Sequence, residues 1–187
     1  MKTLLAVAAT ALLLVSCHHQ PTCGEKNPPA LAGEFLFEIE HTNFAWGARH
    51  EGVAIDRNGR LFRYSNAAWL TDRTRPTTTF TAAELNEKYG SALTYVKTLK
   101  SSEVLGYYAE ATAATGSSGE RVSYCNDAGS TACIAYAYDA KTQPYTRREL
   151  MLRGDSHRTH SDARATRAAE WLRTLDKPYT DFPCAGE

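Results

Sequence analysis

The chain has 187 residues and carries 21 Lys and Arg side chains against 21 Asp and Glu, so its formal charge at neutral pH is zero. Neither that balance nor any basic run suits a nucleic-acid partner, and the 43% hydrophobic fraction is that of an ordinary globular protein. The length suits one domain with a sizeable core rather than several.

Lys2 precedes an apolar run from Leu4 to Val15. A run of that length falls short of a bilayer core of roughly 30 Å and reads as the hydrophobic stretch of a signal peptide. It closes on Leu14-Val15-Ser16-Cys17, which resembles the lipobox of bacterial lipoproteins. The resemblance implies removal of residues 1–16 and a diacylglyceryl group, carrying palmitate-type chains, on the Cys17 thiol. It also implies acylation of the new amino terminus, and because each buried methylene contributes about 0.8 kcal/mol, two or three such chains hold a protein on a membrane. His18 stands where an inner-membrane retention signal is often Asp. The same resemblance therefore implies the outer membrane of a cell envelope, with the protein facing the periplasm or the cell surface. Residues 17–32, with Gln20-Pro21 and Asn27-Pro28-Pro29, read as a tether, and 33–187 as a single domain.

With Cys17 assigned to lipid, Cys23, Cys125, Cys133 and Cys184 form an even set suited to an oxidising compartment, and three pairings are open to them. Cys125 and Cys133 bracket the turn-rich run Asn126-Asp127-Ala128-Gly129-Ser130, so a local bridge is expected there, leaving Cys23 to pair with Cys184. In the loop-entropy model the short closure contributes roughly 2.5 kcal/mol and the long one roughly 5 kcal/mol. A zinc site built from the four thiolates lacks the usual Cys-x-x-Cys spacing.

Along the domain, Phe35, Phe37 and Ile39 alternate with Glu34, Glu38 and Glu40, the pattern of a strand with one wet side. A second strand carries Val53 and Ile55, and Asp56-Arg57-Asn58-Gly59 then reads as a tight primed turn into a third strand from Arg60 to Ser65. Asn66 to Thr79 reads as irregular, with Trp69 and Leu70 plugging an edge of the core. Thr81-Ala82-Ala83-Glu84 is a capping box, and Leu85, Tyr89, Ala92, Leu93, Val96 and Leu99 fit one helical face, with Gly90 as a weak point that costs about 1 kcal/mol or splits the helix. A helix is expected from Ser102 to Thr115, where Gly106 and several aromatics leave a strand as the alternative, then a hairpin from Thr131 to Asp139 and Tyr145 to Arg153, and a last helix from near Ser161 to Pro178. Strands and helices are segregated, which predicts an α+β fold. It comprises a mostly antiparallel sheet, made of the N-terminal meander and the C-terminal hairpin, packed with two or three helices and braced by disulfides.

Three groups of residues have the composition of a site. Asp155, His157, His160 and Asp162 offer two imidazoles and two carboxylates to a metal ion, but the segment also has the make-up of a polar loop leading into a helix N-cap, and a loop without metal is expected. Glu38, Glu40 and His50, with His41 and Trp46 near the strand end, offer acid and base groups, set against the ordinary solvated face of a half-buried sheet. Asp155 with Ser161-x-x-Arg164-Ala165 resembles the segment of outer-membrane-protein-A-like domains in which an Asp and a helix Arg hold the diaminopimelate of peptidoglycan. His157 and His160 depart from that motif, and no final strand follows the helix. The run Asn43-Phe44-Ala45-Trp46-Gly47 with Gly52-Val53-Ala54-Ile55-Asp56 is similar to one in exported bacterial proteins and implies no activity.

No phosphate loop, nucleophile elbow or catalytic residue is assigned, and no cofactor. The expectation is a lipid-anchored envelope protein, a noncatalytic binding or structural module whose partner is an envelope protein or a cell-wall component. The alternatives are an envelope hydrolase, metal-assisted through the Asp155 to Asp162 cluster, and an inhibitor of an envelope or host enzyme.

Overall fold

A computed structural model describes residues 35–45, 47–71, 77–89, 93–123, 125–139, 141 and 144–176. The lipobox, Cys17, the tether, Cys23, Trp46 and Cys184 lie outside these residues. The described chain runs β1 (Phe35–Asn43), β2 (Arg49–Asp56), β3 (Arg60–Ser65), α1 (Ala68–Thr71), β4 (Thr79–Phe80), α2 (Ala82–Tyr89) and β5 (Thr94–Thr98). It continues with α3 (Ser101–Ala113), β6 (Val122–Ser123), β7 (Ser130–Tyr138), β8 (Tyr145–Gly154), β9 (Ser156–Thr159) and α4 (Ala163–Leu175). The strands form one antiparallel sheet in the order β5-β3-β2-β1-β7-β8-β9-β6, with β4 pairing the far end of β8. The fold is α+β with a mostly antiparallel sheet, as the segregation of elements predicts.

The meander and the C-terminal hairpin join through β1, which pairs β2 on one side and β7 on the other. Two bulges set which side chains face which layer. The β1–β2 register shifts between Phe35 and Phe37, so Leu36 and Phe37 both enter the core under the helices; the β7–β8 register shifts after Cys133, so Leu150 and Met151 do the same. That first layer is closed by α3 and α4. Val104 and Ala111 come from one helix and Ala165, Ala168, Trp171 and Leu172 from the other, with Trp171 stacked on Tyr107 at 4.6 Å and edge-on to Phe37 at 5.4 Å. Asp162 caps α4 by accepting from the Arg164 amide at 2.9 Å.

The opposite face of the sheet is also covered, which overturns the wet face read from the alternation in β1. Phe62, Tyr64, Tyr136 and Ile134 from the strands pack with Trp69 of α1, Phe80 of β4 and Leu85 and Tyr89 of α2. Glu38 is fully buried within this layer and Glu40 is nearly so. The capping box at the start of α2 forms as expected: Glu84 accepts from the Thr81 amide at 2.6 Å, and the Thr81 hydroxyl accepts from the Glu84 amide at 3.2 Å.

Three local expectations change. The helical face drawn on through Val96 does not form: α2 ends at Tyr89, and Thr94–Thr98, rich in β-branched and aromatic residues that favour an edge strand, is instead β5. At the β2–β3 turn only Gly59 takes a positive φ, of 79°, while Asp56 accepts from the amides of Asn58 and Arg60; the turn is closed by an aspartate rather than by a primed two-residue loop. Cys133 is a free thiol buried against the helices on β7, and Cys125 is disulfide-bonded elsewhere, so the expected Cys125–Cys133 bridge does not form. With it goes the elimination that left Cys23 and Cys184 to each other. A cysteine in the middle of a buried strand turns inward with its neighbours, which the short spacing to Cys125 did not reveal.

Candidate functional site: a buried charge network opening into a cleft

Alternation along the strands sends Glu38 and Glu40 of β1, His50 of β2, Tyr64 of β3, Tyr136 of β7 and Arg147 and Glu149 of β8 to the face under α2. Gly52 lets them converge. It sits opposite Glu40 and Tyr64, and a Cβ there would strike the Ile39 carbonyl oxygen while crowding the Tyr64 hydroxyl at 3.2 Å. From α2, Lys88 enters this layer with its side chain 1% exposed. Its ammonium donates to Glu38 Oε2 at 2.8 Å and to the Tyr136 hydroxyl at 3.2 Å, and lies 2.8 Å from Glu40 Oε1.

Glu38 is further held by Tyr64 on Oε1 and Tyr136 on Oε2, both donating at 2.5 Å. Burial, reinforced by the Glu38 carboxylate, pushes both phenols well above their ordinary range, so they remain O–H donors. Glu40 takes His50 Nε2 at 3.0 Å and Arg147 at 3.1 Å. Burial alone would raise the Glu40 carboxyl; Lys88, the His50 bond and Arg147 outweigh it and hold the group well below the usual carboxylate range. Phe80, Tyr89 and Tyr136 place their rings within 6.0 Å of the ammonium.

Glu38, Glu40 and His50 therefore come together as the sequence suggested, with ligand atoms within 4.8 Å of one another. The cation among them is an ammonium, and Lys88 stands where a metal ion would draw the two carboxylates together. His41 does not belong to the group: it faces the α3–α4 layer and bonds Thr131 at 3.1 Å. Burial lowers its pKa.

Beyond Glu40 the row Arg147–Glu149–Arg158 continues across β8 and β9, with Arg147 to Glu149 at 3.5 Å and Arg158 to Glu149 at 2.5 Å. Here α2 no longer covers the sheet, and a cleft of about 560 Å³ opens, with Thr42, Ser130 and Leu152 as its floor and Phe44, Arg121, Glu149 and Arg158 along its walls. Its size lies in the usual range for small-molecule sites. Phe44 is 67% exposed at the end of β1, and Arg121 is exposed with no ion pair among the described residues.

The Asp155 to Asp162 segment has other work. Asp155 accepts from the amides of Ala128 and Gly129 at 2.8 and 3.0 Å and so folds the loop before β7 onto the end of β8. Asp162 holds the Arg164 guanidinium and the Thr115 amide, which together keep its carboxyl well below the usual range. His160 Nδ1 accepts from the Asp162 amide, and His157 lies in β9 opposite Val122. The segment forms no three-ligand grouping among the described residues. Asp155 and Arg164, the pair resembling the peptidoglycan motif, close on different partners.

Sequence reasoning missed Lys88, Tyr64, Tyr136 and Arg147. One signal was present: Lys88 falls between Leu85 and Tyr89 on the apolar face of α2, and a lysine there requires a buried anion. No protein-family model, no curated protein and no solved structure matches this chain.

Proposed function

We propose that the protein is a lipid-anchored envelope protein, held through Cys17 on the outer membrane of a bacterium, and that it acts as a noncatalytic binding module for an envelope protein or cell-wall component. The observation that carries this reading is the division of one sheet face into a sealed part and an open part. In the sealed part Glu38, Glu40, His50 and Lys88 are bonded to one another and closed off from solvent by α2. In the open part Phe44, Arg121 and Arg158 surround a floor of two hydroxyl side chains and Leu152, a mixture suited to holding a polar ligand with one flat apolar face. The described chain enters β1 at Phe35, and the cleft lies at the other end of that strand. A tether leading into Phe35 would hold the domain by the end remote from the cleft. We further propose that the domain is braced by a bridge from Cys125 to Cys23 or Cys184.

The test is photo-crosslinking in intact cells, with the reactive residue placed at Phe44 or, as a control, at Leu105 on α3, which is also exposed. A partner captured from Phe44 and not from Leu105, and lost on Arg121→Glu, supports the cleft. Equal capture from both positions, or none from Phe44, overturns it.

A further inference from the structure

We propose that Lys88 and Glu38 condense in the folded protein to an intramolecular amide, tying α2 to β1 by a covalent bond. This goes beyond the binding reading and holds whatever ligand the cleft takes. The inference rests on which groups surround one carboxyl carbon. The ammonium is hydrogen-bonded to one oxygen of Glu38 at 2.8 Å; a second carboxylate, Glu40, lies 2.8 Å from the same nitrogen; and a phenol sits on each oxygen of Glu38. Lys88 and Glu38 are 1% and 0% exposed. The two groups are already held together in hydrogen-bond contact, so condensation needs no encounter between them, and the dry surroundings withhold the water that would reverse the reaction.

The step balances without any added reagent. A proton passes from the ammonium to Glu38 Oε2, leaving a neutral amine beside a carboxylic acid. The nitrogen lone pair attacks Glu38 Cδ, forming the C–N bond, while charge gathers on Oε1 under the Tyr64 hydroxyl. Glu40 takes the proton that the attacking nitrogen sheds. Glu40 gives that proton back at the nitrogen, from which the Tyr136 hydroxyl, touching both Lys88 Nζ and Glu38 Oε2, relays a proton to Oε2, and the C–Oε2 bond breaks as water departs. Glu40 and Tyr136 end as they began. An ammonium and a carboxylate have become one amide and one water.

The full-length protein, purified from cells and digested with trypsin after reduction and denaturation, decides the matter by mass. Trypsin does not cut at an acylated lysine. The expected product is a branched peptide joining residues 27–49 to residues 74–97, lighter by one water than the two together, with no cut after Lys88. Separate linear peptides with cleavage after Lys88, from protein shown to be folded by circular dichroism, overturn the proposal. Lys88→Arg keeps the charge and must abolish the branched product; a branched product surviving in it also overturns the assignment. Glu40→Gln tests the base: the branched fraction should fall at least tenfold in folded protein, and an undiminished fraction refutes the role given to Glu40.

Discussion

Replacing Lys88 by Met tests whether a single cation holds the charges beneath α2. The ammonium is 2.8 Å from a carboxylate oxygen of both Glu38 and Glu40, at a position closed to solvent. Removing one partner from a buried pair costs about 3–5 kcal/mol, a large share of the roughly 5–15 kcal/mol by which domains are stable. The loss does not fall equally on the two acids. Glu40 keeps His50 at 3.0 Å and Arg147 at 3.1 Å, whereas Glu38 keeps only the hydroxyls of Tyr64 and Tyr136. Adding Glu38→Gln removes the orphaned charge and leaves an amide oxygen to which a hydroxyl can still donate. The double variant should therefore be more stable than Lys88→Met alone by about 1–3 kcal/mol at neutral pH. Neither variant has the amine, so this comparison does not depend on whether the parent forms the amide. Urea unfolding followed by circular dichroism measures the difference. A double variant no more stable than the single one would refute the reasoning, since the uncompensated charge would then not reside on Glu38.

Four further outcomes are expected. Because Glu40 beside a cationic residue 88 is held below its unfolded-state pKa, it contributes stability above the ordinary carboxylate range that is lost as the pH falls through the depressed folded value; in the Lys88→Arg protein, which keeps the charge and cannot form the amide, adding Glu40→Gln should give thermal melts with a shallower acid limb, and an unchanged one would speak against the network. Gly52→Ala should cost about 3 kcal/mol or more by calorimetry, because its Cβ meets backbone that cannot swing aside. Burial pushes the Cys133 thiol up to about 12, so a thiol reagent should leave it unmodified in native protein at mildly alkaline pH and react only on unfolding; rapid native labelling would contradict the burial. Cys17→Ala should leave the precursor unprocessed and unlabelled by radioactive palmitate, and labelling equal to that of the parent would remove the anchor from the proposed function.

Much of the fold was legible because it follows from local rules. The alternation in Phe35 to Glu40 and in Ile134 to Tyr138 identified strands, and the capping box at Thr81 and the polar residues ahead of Ala163 identified helix starts. What failed shares one cause, the dependence of a segment's state on elements far away in sequence. Thr94 to Thr98 fits a helical face but pairs with β3 from the end of the sheet, and a periodicity count holds no information about that free strand edge. Cys133 lies close to Cys125 in sequence, yet on β7 it turns into the layer beneath α3 and α4, where its neighbour is Ile39 across the strand pair.

The polar face of β1 was read correctly as polar and incorrectly as wet, and the geometry of its cover explains why. β1 has nine residues, about 30 Å of strand, while α2 has eight residues, about 12 Å of helix. One short helix cannot cover such a strand in any orientation, so part of the face must be sealed and part left open. Glu38 lies in the sealed part and Thr42 in the open part, yet both obey the same alternation, and nothing within β1 distinguishes them. The information resides in α2, where Lys88 interrupts an apolar stripe and so marks which carboxylates lie below it. Where no such cation faces the sheet, the row Thr42, Ser130 and Leu152 is left to solvent or a ligand, and the cleft begins where the helix's own charge stops.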